Sequence, residues 1–287
     1  MKVLVTGADG QLGRELRHVL EQEIPGKTIY TDINELDITD AKAVERFISG
    51  NDITHIVNCA AYTAVEKAEE DEANCLKINF DAVKNIANAA YNAGAKVIHI
   101  STDYVFDGTA HRPYKESDKV NPVSQYGTSK RKGETVLMAL CTDAIILRTS
   151  WLYSPYGHNF VKTMLNKGRE GGKLRVVSDQ IGTPTYAHDL AGAISTILRA
   201  RQWAPGIYNF SNEGVCSWYD FAKAIFRISG LKDCTVAPIP TEDYPTSVSR
   251  PAYSVLDKTR IKRTYDIAIP HWEESLEKCI ARMESGE

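Results

Sequence analysis

The sequence predicts an α/β fold: a Rossmann-type, doubly wound parallel sheet followed by a smaller C-terminal substrate-binding lobe. Two observations support this prediction. In the first half of the chain, short apolar runs rich in β-branched residues alternate with amphipathic stretches, which is the pattern of βαβ units in a parallel sheet. In addition, the first apolar run leads directly into a glycine-rich turn, as in folds that bind phosphate at a helix N-terminus.

Five strands and four helices are predicted in the first half. The strands are expected near residues 2–6, 28–31, 55–60, 96–101 and 144–149. Four residues after the first strand have helical spacing and form an apolar face for packing on the sheet: Leu12, Leu16, Val19 and Leu20. Further helices are expected near 40–49, 67–93 and 126–140. Gly94 ends the helix at 67–93, because glycine enters the left-handed conformation without steric cost.

The alternation gives way after about residue 150 to aromatic-rich segments that contain prolines. We therefore expect a dinucleotide-binding Rossmann domain over residues 1–150 and a substrate-binding lobe over residues 151–287. The helical stretch 187–201 and the strand-like stretch 206–210 would also suit the first domain. We therefore leave open whether the segment 187–211 packs back on the first domain.

Length and composition describe an ordinary globular protein. At 287 residues, the chain is long enough for about two domains of roughly 150 residues each. Hydrophobic residues make up 43% and charged residues 25%, values that exclude disordered and fibrous classes. The 34 basic and 37 acidic residues give a net charge of −3, so we expect no nucleic-acid partner.

The cysteines and the apolar runs indicate the compartment. The six cysteines lie far apart with no C-x-x-C pair, so neither a disulfide framework nor a zinc site is expected. No apolar run reaches the roughly 18 residues of a membrane-spanning helix. The chain also begins directly with strand-like residues rather than an export leader. These observations favour a cytoplasmic protein without a membrane partner.

Gly7, Gly10 and Gly13 form a G-x-x-G-x-x-G element between the first strand and the first helix. Gly7 permits a tight turn, Gly10 lets the backbone approach a pyrophosphate, and Gly13 allows close packing of helix and strand. The helix N-terminus adds unpaired N–H groups and a partial positive charge. A plain tight turn would need the same residue type, but the strand-turn-helix context favours a dinucleotide site.

Asp32 ends the second strand, about 20 residues after the glycine element. A carboxylate at this place accepts hydrogen bonds from the adenosine ribose and repels a 2′-phosphate, which favours NAD over NADP. A surface turn would also suit Asp32. Asp37 and Ile38 follow at a place suited to the adenine, although Asp37 equally fits the cap of the next helix.

Thr102, Tyr126 and Lys130 form a candidate catalytic group. Thr102 ends the fourth strand, at the edge where open α/β sheets bind ligands. The Y-x-x-x-K spacing places the phenol and the ammonium one helical turn apart on the same face. Because a nearby ammonium favours the phenolate, we expect Lys130 to lower the pKa of Tyr126 from its ordinary value of about 10. Alone, the pair would suit an exposed surface, but the glycine element and Thr102 favour an active site.

Five motifs carry a resemblance to a known family. They are Ser101-Thr102-Asp103-Tyr104-Val105-Phe106-Asp107-Gly108, Tyr126-Gly127-x-x-Lys130, Arg148-Thr149-Ser150-Trp151, Asn159-Phe160-Val161-Lys162-Thr163-Met164 and Asp179-Gln180-x-Gly182-x-Pro184-Thr185. Together they resemble the dTDP-4-dehydrorhamnose reductases of the extended short-chain dehydrogenase/reductase superfamily over almost the whole chain. The resemblance implies reduction of the C4 ketone of dTDP-4-dehydro-6-deoxy-L-mannose to dTDP-L-rhamnose by NADPH or NADH, the last step of dTDP-rhamnose biosynthesis.

The resemblance also implies residue roles. Thr102 would bind the substrate carbonyl oxygen, Tyr126 would deliver the proton, and Lys130 would hold the nicotinamide ribose. Asn79 would help a proton relay, although an asparagine on a helix surface would have the same pattern. Cofactor contacts are implied for Gly10, Gln11, Leu12, Asp32, Asp37, Ile38, Ala61, Tyr62 and Thr63. Substrate contacts are implied for Thr102, Asp103, Tyr126 and Trp151.

Three further residues carry less specific expectations. Trp151 suits either a platform for the sugar or a core aromatic. Arg250 is a candidate cation for the substrate pyrophosphate, although a surface arginine would have the same pattern. Some members of the family form Mg²⁺-bridged dimers through glutamates; Glu15 matches one ligand position, but His188 replaces another. We therefore expect no metal, interpret Glu15 as a solvated helix residue, and leave a homodimer open.

Two other functions stay open on sequence grounds. A sugar-nucleotide epimerase or 4,6-dehydratase would share the scaffold. Dehydratases of this superfamily, however, typically need an acid-base Asp-Glu pair directly after the strand-end threonine. Here Asp103 is followed by Tyr104. A non-catalytic, NADP-binding regulatory subunit, similar to that of methionine adenosyltransferase, is the other alternative. The joint presence of Thr102, Tyr126 and Lys130 favours an enzyme.

Overall fold

Six parallel strands form the central sheet of the protein, whose computed structural model describes residues 1–246 and 248–286. The strands of the described residues are β1 (Val3–Thr6), β2 (Thr28–Thr31), β3 (His55–Asn58), β4 (Lys96–Thr102), β5 (Ala144–Thr149), β6 (Leu152–Tyr153), β7 (Gly172–Val177), β8 (Ile181–Gly182), β9 (Thr185–Tyr186), β10 (Gly206–Asn209), β11 (Cys216–Ser217) and β12 (Cys234–Ile239). The central sheet has the order β10-β5-β4-β3-β1-β2. The winding direction reverses between β1 and β3, and doubly wound sheets bind ligands at such a reversal.

Helices cover both faces of this sheet. They are α1 (Gln11–Glu23), α2 (Ala41–Gly50), α3 (Glu72–Leu76), α4 (Ala82–Ala93), α5 (Gln125–Leu140), α6 (Phe160–Glu170), α7 (Ala187–Arg199), α8 (Trp218–Ile228), α9 (Thr259–Tyr265) and α10 (Trp272–Ser285). Apolar residues of α1 and α7 pack on one face of the sheet, and those of α2, α4 and α5 pack on the other. Each central strand therefore buries side chains on both faces, which explains its continuous apolar run.

A separate apolar core lies in the C-terminal half. Helices α6, α8 and α10 enclose it together with the parallel pair β7 and β12, and its largest side chains include Tyr153, Phe221 and Trp272. Apart from β10, which joins the central sheet, the remaining described strands of this half are two residues long. Their shortness explains why strand periodicity is weak in the second half of the sequence.

The predicted α/β fold with a doubly wound parallel sheet is confirmed. The predicted helix at 67–93 is wrong as one continuous helix: a 3₁₀ turn over Lys67–Glu69 precedes α3, and a π-helical turn over Lys77–Asp81 separates α3 from α4. Gly94 has φ +63° and ends α4 as predicted. From the segment 187–211, α7 packs beside α1, and β10 pairs with β5. The division into two domains at residue 150 stays a prediction.

Within residues 1–246 and 248–286, every helix is too short or too polar to cross a membrane.

Candidate active site

A cleft of about 1030 Å³ opens at the carboxyl ends of the central strands, where the winding direction reverses. The glycine element, the ends of β2 to β5 and the first turns of α5 line it. All the predicted cofactor and substrate residues line this cleft except Tyr62 and Arg250. The fold therefore brings together side chains that are more than a hundred residues apart in sequence.

The glycine element has the shape expected for binding a pyrophosphate. Gly7 has φ +66°, and a Cβ atom there would lie 2.6 Å from the backbone nitrogen of Ala60. At Gly13, a Cβ atom would lie 2.4 Å from the carbonyl oxygen of Gly7. Gly10 precedes α1, and no side chain of the described residues caps this helix. The N–H groups of its first turn thus face the cleft without a side-chain partner, and a dinucleotide phosphate fits this cradle.

Asp32 is held beside the glycine element by two backbone groups. Its Oδ2 accepts a hydrogen bond from the Asp9 N–H at 3.0 Å, and its Oδ1 accepts one from the Ile33 N–H at 2.9 Å. The carboxylate lines the cleft at the end of β2. The Asp32 carboxylate is therefore held in one position, beside the place that a ribose hydroxyl or a 2′-phosphate would occupy.

Asp37 does not cap the second helix. Its Oδ1 accepts hydrogen bonds from the N–H and the hydroxyl of Thr39 at 2.9 and 2.8 Å, and these bonds lower its pKa. The cap of α2 is Asp40, whose side chain accepts from two backbone N–H groups. Asp37 and Ile38 both line the cleft, so the structure leaves them available for the adenine side.

Thr102, Tyr126 and Lys130 meet at one end of the cleft. Thr102 ends β4, and Ser124 caps α5 so that Tyr126 lies in its first turn and Lys130 in its second. Both α5 side chains are buried. The Lys130 ammonium donates to the carbonyl oxygen of Ile100 at 2.6 Å. This bond fixes the ammonium against the strand that carries Thr102.

The expected lowering of the Tyr126 pKa by Lys130 is wrong. Burial raises the pKa of Tyr126 above its ordinary value of 10.0, and the Thr102 hydroxyl offsets this rise only in part. Burial also lowers the pKa of Lys130 to about 8, against the opposing charge of Glu134. Loss of solvation is thus the largest cause of the shift in both pKa values. As a result, the phenol keeps its proton at neutral pH, as a general acid must.

Asp103 is a buried carboxyl group beside the phenol. Its Oδ1 accepts a hydrogen bond from the Thr102 hydroxyl at 3.0 Å, and its Oδ2 has no partner within the described residues. Burial raises its pKa to about 7, although hydroxyl groups of Thr102 and Ser254 oppose the rise. Asp103 is therefore poised to exchange a proton near neutrality.

Trp151 is both a packed aromatic and a wall of the cleft. Its ring stacks on the ring of Trp218, with centroids 3.6 Å apart and an interplanar angle of 10°. Its backbone has φ +49°, a strained conformation for a bulky residue. The half-buried ring also lines the cleft. The two interpretations of Trp151 from the sequence are thus compatible.

Tyr62 and Arg250 lie outside the cleft lining. The N–H and C=O of Tyr62 pair with the side-chain amide of Asn79 at 2.9 and 3.0 Å. Asn79 also donates to Ser129 at 3.0 Å, so its amide holds the loop after β3, and its part in a proton relay stays a prediction. Arg250 forms an ion pair with Glu66 at 2.8 Å.

Glu15 is not solvated, contrary to the sequence-based expectation. It is fully buried, because Arg282 of α10 donates to both its oxygens at 2.9 and 3.0 Å and His188 contacts it at 2.9 Å. Arg282 is 267 residues away, so no local pattern reveals this pair. In residues 1–246 and 248–286, no group of three or more His, Cys, Asp or Glu side chains is arranged to hold a metal ion.

Glu134 is a buried residue near the site that the sequence reasoning missed. It lies one turn after Lys130 on α5 and is fully buried. The available signal was its spacing, because a glutamate four residues after Lys130 extends the face that carries Tyr126. The face of α5 that carries Tyr126, Lys130 and Glu134 is therefore the face that packs on the sheet.

The comparisons with known proteins agree with this geometry. The family described as the RmlD substrate binding domain matches residues 1–285. The chain is 40% identical over 292 residues to the dTDP-4-dehydrorhamnose reductase of Aggregatibacter actinomycetemcomitans, with 99% of each protein covered. A crystal structure of a dTDP-4-dehydrorhamnose reductase from Clostridium acetobutylicum has a TM-score of 0.93 and 45% identity, covering 99% of this chain and 100% of that one. That of the Bacillus anthracis enzyme in complex with NADP has a TM-score of 0.94 and 39% identity, covering 98% and 100%. The chain belongs to the dTDP-4-dehydrorhamnose reductase family.

Proposed function

We propose that the protein reduces the C4 ketone of dTDP-4-dehydro-6-deoxy-L-mannose to dTDP-L-rhamnose, with NADPH or NADH as reductant. One observation carries the proposal: the cleft that holds the glycine element also receives Thr102, Tyr126 and Lys130. A dinucleotide cradle and a proton donor thus share one cavity. The relatives named dTDP-4-dehydrorhamnose reductase support this substrate.

Tyr126 supplies the proton for the new alcohol. Its raised pKa keeps the phenol protonated, and an alkoxide is a stronger base than a phenolate, so the transfer runs downhill. Lys130 stabilises the phenolate that remains, since its buried ammonium lies on the same helical face one turn away. A reduced nicotinamide bound in the cleft supplies the hydride.

Thr102 must change its hydrogen bond to act on substrate. Its hydroxyl now donates to Asp103 at 3.0 Å. When a ketone oxygen enters the site, this hydroxyl turns toward it and helps to stabilise the developing negative charge. Protonation of Asp103 weakens the competing bond, because a neutral carboxyl group is a poorer acceptor than a carboxylate.

The cofactor contacts come from three segments. The helix N-terminus at Gly10, Gln11 and Leu12 faces the pyrophosphate, and Gly7 and Gly13 permit its close approach. Asp32 meets the adenosine ribose. The remaining contacts are Asp37, Ile38, Ala61 and Thr63, with Tyr62 acting through its loop backbone.

The substrate contacts lie at the other end of the cleft. Trp151 provides a flat apolar surface for the sugar, held rigid by Trp218. Asp103 and Thr102 face the sugar hydroxyl and carbonyl groups. Arg250 must leave Glu66 to reach a pyrophosphate, so its role as a phosphate ligand depends on a local rearrangement.

A dehydratase would lack a required group in this cleft. Elimination needs a second carboxylate after Asp103, but Tyr104 occupies that place, with its ring edge-on to Tyr126 at 5.6 Å. An epimerase or dehydratase also regenerates its cofactor in each cycle, whereas a reductase consumes it. A regulatory subunit would have no use for the buried Tyr126 and Lys130.

The test is to supply the enzymatically generated keto-sugar with NADPH and with NADH, and to follow absorbance at about 340 nm. The proposal predicts one reduced cofactor oxidised per dTDP-L-rhamnose formed, the product being identified by mass spectrometry and NMR. Product without net oxidation would indicate an epimerase or dehydratase. No turnover with a stoichiometric bound partner protein would indicate a regulatory subunit.

We also propose a cytoplasmic enzyme whose partner is its small-molecule substrate, with no nucleic acid or membrane partner. The six cysteines are all free in the structure, which suits a reducing compartment. Cell fractionation tests the compartment, and light scattering after size-exclusion chromatography tests whether the chain forms a homodimer.

A further inference from the structure

A buried carboxylate lies directly beneath the proton-transfer pair. Glu134 Oε1 accepts hydrogen bonds from the Ser101 hydroxyl at 2.7 Å and from Arg148 Nε at 2.8 Å. Its Oε2 accepts from Arg148 Nη2 at 2.7 Å and from Arg131 Nη1 at 2.9 Å. The side chains of Glu134 and Arg148 are fully buried, so four donors hold the carboxylate in one orientation.

This carboxylate holds the strand that carries the catalytic threonine. Three consecutive residues of β4 are involved: Ile100 accepts from the Lys130 ammonium, Ser101 donates to Glu134, and Thr102 supplies the catalytic hydroxyl. Two α5 side chains one turn apart thus bind β4 immediately before Thr102. Any slip of α5 along the sheet would move Tyr126 and Thr102 relative to each other.

Arg148 extends the same connection to the next strand. It lies on β5, in register with Ser101 of β4. Its guanidinium pairs with Glu134 through two parallel hydrogen bonds, a geometry with high directional specificity. The carboxylate of Glu134 therefore joins α5, β4 and β5 at a single point below the site.

The same carboxylate supplies negative charge to the Lys130 ammonium. Burial alone would raise the pKa of Glu134, but the charge and hydrogen bonds of Arg148, with those of Ser101 and Arg131, hold it below its ordinary value. Glu134 is therefore ionised at neutral pH, and its charge raises the pKa of Lys130 against the effect of burial. Besides Tyr126 on the same helix, titratable groups around Lys130 include Cys59 after β3, Cys75 of α3 and His99 of β4.

We infer that Glu134 is a positioning residue for the reduction, which fixes β4 at Thr102 against α5 from beneath and places a constant negative charge one helical turn from the Lys130 ammonium. The inference rests on the proposed reductase function. It adds to that function a residue that contacts neither cofactor nor substrate.

The test is the pH profile of kcat for E134Q, which keeps the shape of the side chain but removes its charge. The inference predicts an alkaline limb displaced downward by about one pH unit, since one unit of Lys130 pKa is the scale of a close charge interaction. At about pH 8, where about half of the wild-type Lys130 is protonated, kcat should fall about fivefold, whereas E134D, which keeps the charge, should retain the position of the limb. An E134Q profile that coincides with that of the wild type would overturn the inference.

The matched control is E15Q, which removes the charge of the other glutamate that is fully buried against an arginine, 119 positions earlier in the chain. It should lose stability as E134Q does but leave the pH profile unmoved. Unfolding of the cofactor-free proteins gives a second readout. The destabilisation of E134Q should shrink between about pH 6.5 and pH 8.5, as Lys130 loses its proton, and that of E15Q should not.

If E134Q does not fold, S101A decides the question. This variant removes one hydrogen bond to Glu134 and leaves every charge in place. The inference predicts a severalfold fall in kcat with an unchanged dissociation constant for NADPH, measured by fluorescence titration, whereas wild-type kcat would contradict it. Failure of the reductase function itself would instead appear as no NADPH oxidation by the wild-type enzyme.

Discussion

Two buried carboxyl groups on either side of the proposed proton-transfer pair, Asp103 and Glu134, have opposite properties. Both are almost inaccessible to solvent. Burial raises the pKa of Asp103 to about 7, where only hydroxyl and backbone groups oppose the rise. The pKa of Glu134 lies below its ordinary value, because a guanidinium with two parallel hydrogen bonds overcomes the same burial.

The comparison shows that burial disfavours the ionised form of both carboxyl groups, and that the hydrogen-bond and ion-pair partners decide whether the group stays ionised at neutral pH. Asp103 lines the cleft, has one oxygen without a hydrogen-bond partner among the described residues, and has a pKa raised to about 7 by burial. Glu134 lies behind the cleft and keeps a constant charge. The site thus combines one variable and one fixed carboxyl group around Tyr126 and Lys130.

The largest expected effect comes from the phenol that the two carboxyl groups flank. Y126F should lower kcat by about 10²–10⁴-fold and leave NADPH affinity nearly unchanged, because positioned proton transfer contributes that much. Steady-state kinetics and cofactor titration measure both quantities. The control is Y153F, which removes a buried hydroxyl without a described partner in the C-terminal core. Near-wild-type kcat for Y126F would exclude Tyr126 as the proton donor.

Removing the Arg148 guanidinium should raise the pKa of Glu134, so that this carboxyl group titrates near neutrality as Asp103 does. R148M should lower the free energy of unfolding by about 3–5 kcal/mol at neutral pH, because it removes the buried cation of a buried carboxylate and leaves it only the partly exposed Arg131. The loss should shrink on acidification, since the folded-state pKa of Glu134 then rises and protonation removes the buried charge. Urea denaturation at about pH 7 and pH 4.5 measures this.

The double variant E134Q/R148M sharpens this prediction. It removes both charges, so it should be more stable than R148M alone. If the two variants have equal stability, the ion pair is not the source of the effect.

Replacing Asp103 by asparagine should remove the pH-dependent destabilisation of the folded state that its raised pKa causes. An acid whose pKa rises from its ordinary 3.8 to about 7 on folding destabilises the folded state increasingly as pH rises through that window. One unit is worth about 1.4 kcal/mol, so D103N should gain a few kcal/mol relative to the wild type between about pH 4 and pH 8. Thermal unfolding across this range tests it. A constant difference between the two proteins would show that Asp103 is ionised throughout.

The smallest expected effect concerns the carboxylate at the far end of the cleft. Asp32 is fixed by the N–H groups of Asp9 and Ile33, beside the expected position of the ribose. D32S removes a negative charge that repels a 2′-phosphate and should improve kcat/KM for NADPH over that for NADH by roughly tenfold. An unchanged preference would place the 2′-position away from Asp32.

Local patterns predicted the first half of the fold well, because each strand there is an apolar run and each helix has a continuous apolar face. The strands at 28–31 and 144–149 lie where they were predicted. The helix at 67–93 is instead divided by a 3₁₀ turn at Lys67–Glu69 and a π-helical turn at Lys77–Asp81, in which Asn79 bonds to the backbone of Tyr62. No periodicity of apolar residues encodes such a contact.

The site was predictable to the extent that its residues lie in local motifs. The glycine element and the Tyr126–Lys130 pair are short-range patterns, and the structure places both in one cleft. The burial of Glu15 and the pairing of Glu134 with Arg148 depend on contacts between distant segments. The direction of the Tyr126 pKa also depends on burial, which spacing alone does not reveal.

The most direct test of the account is isotope transfer from NADPH carrying deuterium at the reactive C4 position of the nicotinamide. Turnover of the keto-sugar should place one deuterium at C4 of dTDP-L-rhamnose, since the cleft aligns the cofactor cradle with Thr102 and Tyr126. NMR of the product locates the label. Oxidised cofactor with no deuterium at the sugar C4, or a labelled product at another carbon, would contradict the account.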